Sequence, residues 1–187
     1  PEEYTAEIIG DSKTGFKITN KYIPEIIQIS VEKIWNDNGN QDGIRPNTIN
    51  VTLLANGTEV SGKTAELSDT NNWKHIFTNL PAYSNGTKIQ YTISELKLPE
   101  GYTSKTTGDS QTGFVITNTH IPEVTQIPVE KIWDDGENQD GKRPEKIIVG
   151  LLEDGSKETV KTLELTSSNQ WKGIFTNLPV YKEGKQI

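Results

Sequence analysis

The chain has 187 residues, with 19 Lys+Arg against 26 Asp+Glu and a net charge of −7, so it lacks the basic excess that holds a polyanion and no nucleic-acid partner is expected. No apolar run approaches the roughly 20 residues of a membrane-spanning helix, no signal peptide is evident, and Met is absent, which reads as a piece of a longer mature protein. The absence of Cys excludes disulfides, thiolate metal ligands and Cys nucleophiles together.

Thr (22) and Asn (15), with 16 Gly and 9 Pro, favour short strands joined by turns. In chain order, residues 28–35 alternate: Ile29, Val31, Lys33 and Trp35 fall on one side and mostly polar residues on the other, as in a strand with one buried face. The stretch NDNGNQDGIRP that follows is turn chemistry. A second strand is expected over 48–54, closed by an Asn56-Gly57 hairpin turn. Further strands are expected over 63–67, 73–77, 88–96 and 113–118, and no amphipathic helix is evident. Six or seven short strands with turn signals about every ten residues make an all-β sandwich.

The chain also repeats itself. IPEIIQISVEKIWNDNGNQDGIRP from Ile23 returns as IPEVTQIPVEKIWDDGENQDGKRP from Ile121, and Trp73, Phe77, Leu80, Pro81 and Tyr83 return at Trp171, Phe175, Leu178, Pro179 and Tyr181. The offset is 98 throughout: residues 23–89 match 121–187 at 38 of 67 positions, and 1–22 match 99–120 at 13 of 22. A period this long suits a string of β-domains better than a helical solenoid. The expected organisation is therefore the tail of one repeat (1–22), a complete repeat (23–120), and the front of a third (121–187), which stops before the counterpart of Gln90 to Leu98.

Strand parity places three polar residues among apolar ones. Lys33 is in register with Ile29 and Val31, Glu95 with Tyr91 and Ile93, and Asn118 with Phe114 and Ile116. Burial of an unpaired charge is strongly unfavourable. Two readings follow. One is a buried Lys-Glu ion pair with Asn as a hydrogen-bonding neighbour, or strand ends that are already wet. The other is chemistry: burial lowers the pKa of Lys and raises that of Glu, and a neutral amine can attack the Asn carboxamide while a protonated Glu supports its oxygen, expelling ammonia.

VEKIW with the downstream NQDGxRP, then NxxWKxxFTNLPxY, YTISE and a closing FVITN, resembles the CnaB-type repeat domain of the B region of Gram-positive collagen adhesins, over the whole repeat. The resemblance implies inverse immunoglobulin-like (prealbumin-like) β-sandwiches in tandem, serving as stalks of wall-anchored surface proteins, and an intramolecular Lys-Asn isopeptide bond. It assigns Lys33 as nucleophile, Asn118 as the amide attacked and Glu95 as acid/base, with Lys131 and Asn20 as equivalents in incomplete repeats. The implied role is a structural spacer on the extracellular bacterial surface. Its partners would be neighbouring repeats in the same polypeptide and, through other domains, host matrix proteins. Self-crosslinking would be a single-turnover maturation step, not enzymatic catalysis, with no cofactor and no metal. Lys33 and Asn118 are 85 positions apart, so the bond would stabilise the repeat by about 4 to 5 kcal/mol on loop-entropy grounds.

Other signals carry less. Asn38-x-Asn40-x-Asp42-Gly43 resembles the start of a calcium loop, but its twelfth position is Ile49 and its repeat counterpart starts at Gly136, so a turn is expected. Asp42 and Arg45, repeated as Asp140 and Arg143, are candidates for a local salt bridge or for fixing this loop. Sequons at Asn50, Asn56 and Asn85 are short motifs, idle in a bacterial protein. His75 and His120 lack histidine counterparts, so no His triad or metal site is expected. The rival function is a carbohydrate- or host-protein-binding module using Trp35, Trp73, Trp133 and Trp171, against which strand parity favours core packing for these rings.

Overall fold

The computed structural model describes residues 2–153 and 155–187. The chain divides into two compact units, one of residues 1–34, 47–98 and 104–117, the other of residues 35–46, 99–103 and 118–187.

The first unit opens with a hairpin, β1 (Thr5–Asp11) and β2 (Gly15–Lys21). Then come β3 (Ile26–Asn36), β4 (Thr48–Ala55), β5 (Thr58–Ser68), β6 (Lys74–Pro81), the short β7 (Tyr83–Ser84) and β8 (Thr87–Lys88), β9 (Tyr91–Glu95), β10 (Thr103–Asp109) and β11 (Gly113–Thr119); the last two residues of β3 and of β11 and the first of β10 lie past the unit's boundary. They form a four-stranded sheet in the order β10-β11-β3-β6 and a three-stranded sheet in the order β5-β4-β9. The inward positions of the first sheet carry Ile29, Val31, Phe77, Phe114 and Ile116, and those of the second carry Ile49, Val51, Leu53, Leu67 and Ile93, all buried. Among the described residues the only helix is a three-residue 3-10 turn, Asp69–Asn71.

Differences from the expected strands have local causes. The strand after Asn71 begins at Lys74, one residue late, because Asn72 and Trp73 are both left-handed (φ 53° and 58°), and Gln170 and Trp171 repeat this (57° and 59°). The single strand expected over 88–96 is two, because the chain changes partner: β8 pairs with β7, and β9 with β4. At the break, Asn56 Oδ1 accepts the Gln90 N–H at 2.9 Å. Asn56 and Gly57 turn at φ 50° and 82°, the double-positive hairpin that Asn-Gly favours. β10 is not among the expected strands. Its sequence TSKTTGD has no apolar alternation and all seven residues are exposed; only pairing with β11 makes it a strand.

The second unit repeats the pattern with β12 (Val124–Glu130), β13 (Lys146–Leu152), β14 (Thr159–Thr166), β15 (Lys172–Pro179), β16 (Tyr181–Lys182) and β17 (Lys185–Gln186). The pairs are β12-β15, β13-β14 and β16-β17. Its core is built from Leu165, Trp171, Phe175 and Leu178. Even the register slip between Ile27 and Ile29 returns, between Thr125 and Ile127.

Candidate functional site

β3 buries Ile29 (1% exposed), Val31 (1%) and then Lys33 (3%), so the alternation that builds the core also takes the lysine inward. β11 does the same with Phe114, Ile116 and Asn118, the last with no exposed surface. β3 and β11 are hydrogen-bonded neighbours in the four-stranded sheet. Glu95 closes β9 in the other sheet, opposite Val51 of β4. It follows the buried Tyr91 and Ile93 but is itself only half-buried, and its Oε2 accepts the Ser104 hydroxyl at 3.4 Å.

The counterparts at the 98-residue offset are placed differently. Lys131 lies beyond the end of β12, half-buried, with its ammonium donating to Ile132 O at 2.7 Å and standing 4.4 Å from the Trp133 ring centroid. Asn20, opposite Ala6 on the β1-β2 hairpin, is exposed. Phe16 and Ile18 beside it are 66% and 65% exposed, whereas their counterparts Phe114 and Ile116 are 6% and 0%.

A second polar cluster follows β3, in the second unit. The Asp37 side chain is 1% exposed. Arg45 grips it with both arms, Nε donating to Oδ2 at 2.8 Å and Nη2 to Oδ1. The Asn40 N–H donates to Oδ1 at 2.9 Å and the Tyr102 hydroxyl to Oδ2 at 2.8 Å. Burial alone pushes this carboxyl up, but the hydrogen bonds from Arg45, Asn40 and Tyr102, with the guanidinium charge, hold it at about 2. Burial, and then the bond to Asp37, pushes the Tyr102 phenol up. Arg45 also lies 5.6 Å from the Trp35 centroid, and Trp35 meets Tyr102 edge-on at 5.1 Å. Asp135, Arg143 and Trp133 repeat the arrangement with a more open carboxylate, 29% exposed.

The expected Asp42-Arg45 salt bridge is thus corrected. Arg45 pairs with Asp37, and Asp42 turns to His120, whose Nε2 lies 2.9 Å from its Oδ2. The loop also explains its calcium-like sequence without one. Asp37 caps the turn, Asn40 Oδ1 accepts the Arg45 N–H at 2.9 Å, and Asn38, Gly39, Asn40 and Gly43 all take positive φ. Sequence reasoning misses Asp37 because it sits on a turn outside the strand alternation. Its signal is identity in the repeat, since Asp135 follows the second VEKIW as Asp37 follows the first.

The aromatic rings weighed for ligand stacking are largely internal. Trp73 and Trp171 are each 9% exposed, and Trp35 and Trp133 are half-buried. Trp133 packs edge-on against Trp171 at 5.0 Å.

Comparison with known proteins agrees with the fold. The family model described as Cna protein B-type domain matches residues 29–119 and again 127–187. The collagen adhesin of Staphylococcus aureus is 46% identical over 186 residues; the match covers all of this chain and 15% of that protein, so the chain spans a small part of its relative. The crystal structure of two B repeat units, B1B2, of the collagen-binding protein of Staphylococcus aureus superposes with a TM-score of 0.82 at 45% identity, covering all of this chain and 48% of that one. The repeated sandwich, the two family matches and the likeness along the full chain together place this protein in the Cna protein B-type domain family, as tandem repeats of that fold.

Proposed function

We propose that the chain is a structural spacer from the stalk of a bacterial surface adhesin, organised as repeats 1–22, 23–120 and 121–187, and that the complete repeat staples itself with a Lys33-Asn118 isopeptide bond. The observation that carries this reading is the burial of Lys33 and Asn118 on the hydrogen-bonded neighbours β3 and β11. Lys33 is 3% exposed, and an amine is a nucleophile in its neutral form.

In the proposed step, the neutral Lys33 Nζ adds to the Asn118 side-chain carbonyl carbon. Glu95 is the acid/base of this step, moving the proton from the attacking nitrogen to the leaving one. The C–N bond to the original amide nitrogen breaks, ammonia departs, and a secondary amide remains with no change of oxidation state. The reaction occurs once per chain, so it is maturation and not turnover. Its use is mechanical: a covalent link between the first and last strands of a repeat takes load that would otherwise unzip the β3-β11 hydrogen bonds. The likeness to a staphylococcal collagen adhesin supports an extracellular, wall-attached setting, with neighbouring repeats as partners and any host-matrix ligand held by other domains.

Intact mass spectrometry of the denatured chain tests the crosslink. The expected mass is the sequence mass less one ammonia, with Lys33→Ala and Asn118→Ala restoring the full mass. An unmodified wild-type mass refutes the bond, and a crosslink that persists in Glu95→Ala removes Glu95 from its role.

A further inference from the structure

The loop after β3 and the segment that leads into β12 meet inside the second compact unit, and the contact depends on a charge. Asp42 is 6% exposed at its side chain. Its Oδ2 lies 2.9 Å from His120 Nε2 and accepts the Glu123 backbone N–H at 2.8 Å. Its Oδ1 is buried with no hydrogen-bond partner among the described residues. One carboxylate oxygen therefore ties the loop to both ends of the segment that joins successive repeats.

The other ring nitrogen of His120 decides what that tie requires. Nδ1 lies 2.8 Å from the Gly101 carbonyl oxygen, which can only accept. Both nitrogens thus face acceptors, a carbonyl on one side and a carboxylate on the other. A neutral imidazole has one N–H and cannot satisfy both; an imidazolium has two and can.

A backbone contact follows from the same loop. Gln41 O accepts the N–H of Gly184, from the β16-β17 turn, at 3.0 Å. Gly43 packs so tightly there that a Cβ built on it would come within 2.4 Å of Gly184 Cα. The loop of one repeat is in this way both the anchor of the connecting segment and the seat of the next repeat's β16-β17 hairpin.

We propose that the Asp42–Gly43 loop is the docking surface for the following repeat and that the joint is locked by a proton on His120, closed with the imidazolium and loosened without it. The charged and titratable groups facing His120 are consistent with this. Asp42 lies against it and Asp37 adds a more distant negative field, itself tied to Arg45. Tyr102 contributes its ring at 5.4 Å, and Glu123 its backbone N–H to the same carboxylate oxygen. The bond to Asp42, against opposing desolvation, holds the imidazole above the usual histidine value. Burial pushes Asp42 up, but His120 and the Glu123 N–H more than offset it and hold the carboxyl below its usual range. Because the folded value of His120 is raised, the lock is fully present below the ordinary histidine value and is lost as pH rises through the raised one.

The preceding joint is built differently. Tyr22 occupies the position of His120 and Tyr4 that of Tyr102, and these rings also lie 5.4 Å apart. A phenol does not titrate in the same range, so proton control belongs to the His120 joint.

Two measurements on the intact chain test this. Nitrogen-15 spectra of the imidazoles should show His120 doubly protonated and titrating above about 6.5, the unperturbed histidine value, and Asp42→Asn should bring that titration down. Amide exchange should show the protection factors of the Glu123 and Gly184 N–H groups falling together as His120 deprotonates. The expected fall is about tenfold or more, the equilibrium equivalent of one charge-assisted hydrogen bond. His120→Tyr, which installs the residue found at position 22, should abolish the pH dependence while leaving the fold intact. A singly protonated His120 ring at acidic pH, or protection factors at Glu123 and Gly184 that do not change through its titration, would overturn the proposal.

Discussion

The buried Asp37 carboxylate gives the most quantitative prediction. A carboxyl held at about 2 where its ordinary value is 3.8 contributes about 2.5 kcal/mol to folding at neutral pH. Arg45 is 24% exposed, which makes this an upper figure for the guanidinium's part. Removing the arginine does more than remove its attraction. Arg45→Ala leaves a desolvated anion with only the Asn40 N–H and the Tyr102 hydroxyl, and a buried charge stripped of its partner costs about 3 to 5 kcal/mol. Tyr102→Phe deletes one hydrogen bond to the same charge and should cost about 1.5 to 2 kcal/mol. The repeat supplies the control. Asp135 and Arg143 make the same contacts with a carboxylate 29% exposed, so Arg143→Ala should destabilise clearly less than Arg45→Ala, because solvent screens the exposed pair. Urea denaturation followed by tryptophan fluorescence at neutral pH measures all three variants. The pH dependence has a definite sign. The folded value of Asp37 is depressed, so its contribution is present above about 4 and disappears as pH falls toward 2; Asp37→Asn should flatten that acid limb. Equal destabilisation by Arg45→Ala and Arg143→Ala, or an unchanged acid limb in Asp37→Asn, would refute the reasoning.

Two further predictions rest on the repeated hairpin. A Cβ at Gly108 would lie 2.0 Å from Gly113 O at φ +91°, so Gly108→Ala should cost about 2 to 4 kcal/mol and expose the β10-β11 pairing to amide exchange; wild-type protection in that hairpin would contradict the close approach. Ile116→Ala should destabilise by about 3 kcal/mol in thermal unfolding, because the side chain is fully buried. Its counterpart Ile18→Ala, at 65% exposure, should stay within about 0.5 kcal/mol, and equal losses at the two sites would mean that burial does not set the difference.

Sequence alone determined what depends on local order and self-comparison. The period of 98 comes from matching the chain to itself. The all-β class follows from alternation and turn residues, and the inward direction of Lys33 and Asn118 from parity with Ile29, Val31, Phe114 and Ile116, since successive side chains on a strand must point to opposite faces. Parity served Glu95 less well, because a strand's last residue can leave the core even when its neighbours do not, and Glu95 is half-buried. Tertiary structure decided what pairs with what. Asp37 and Asp42 flank the same turn and both stand near Arg45 in sequence, and only the path of the loop sends one carboxylate to Arg45 and Tyr102 and the other to His120, 78 positions away. Thr103–Asp109 has no strand pattern of its own and acquires one from β11. Phe16 and Phe114 occupy the same position of the repeat, yet one is 66% exposed and the other 6%. The physical reason is common to all three: alternation is written into the covalent chain, whereas burial and charge pairing belong to whichever surface the chain brings against each residue.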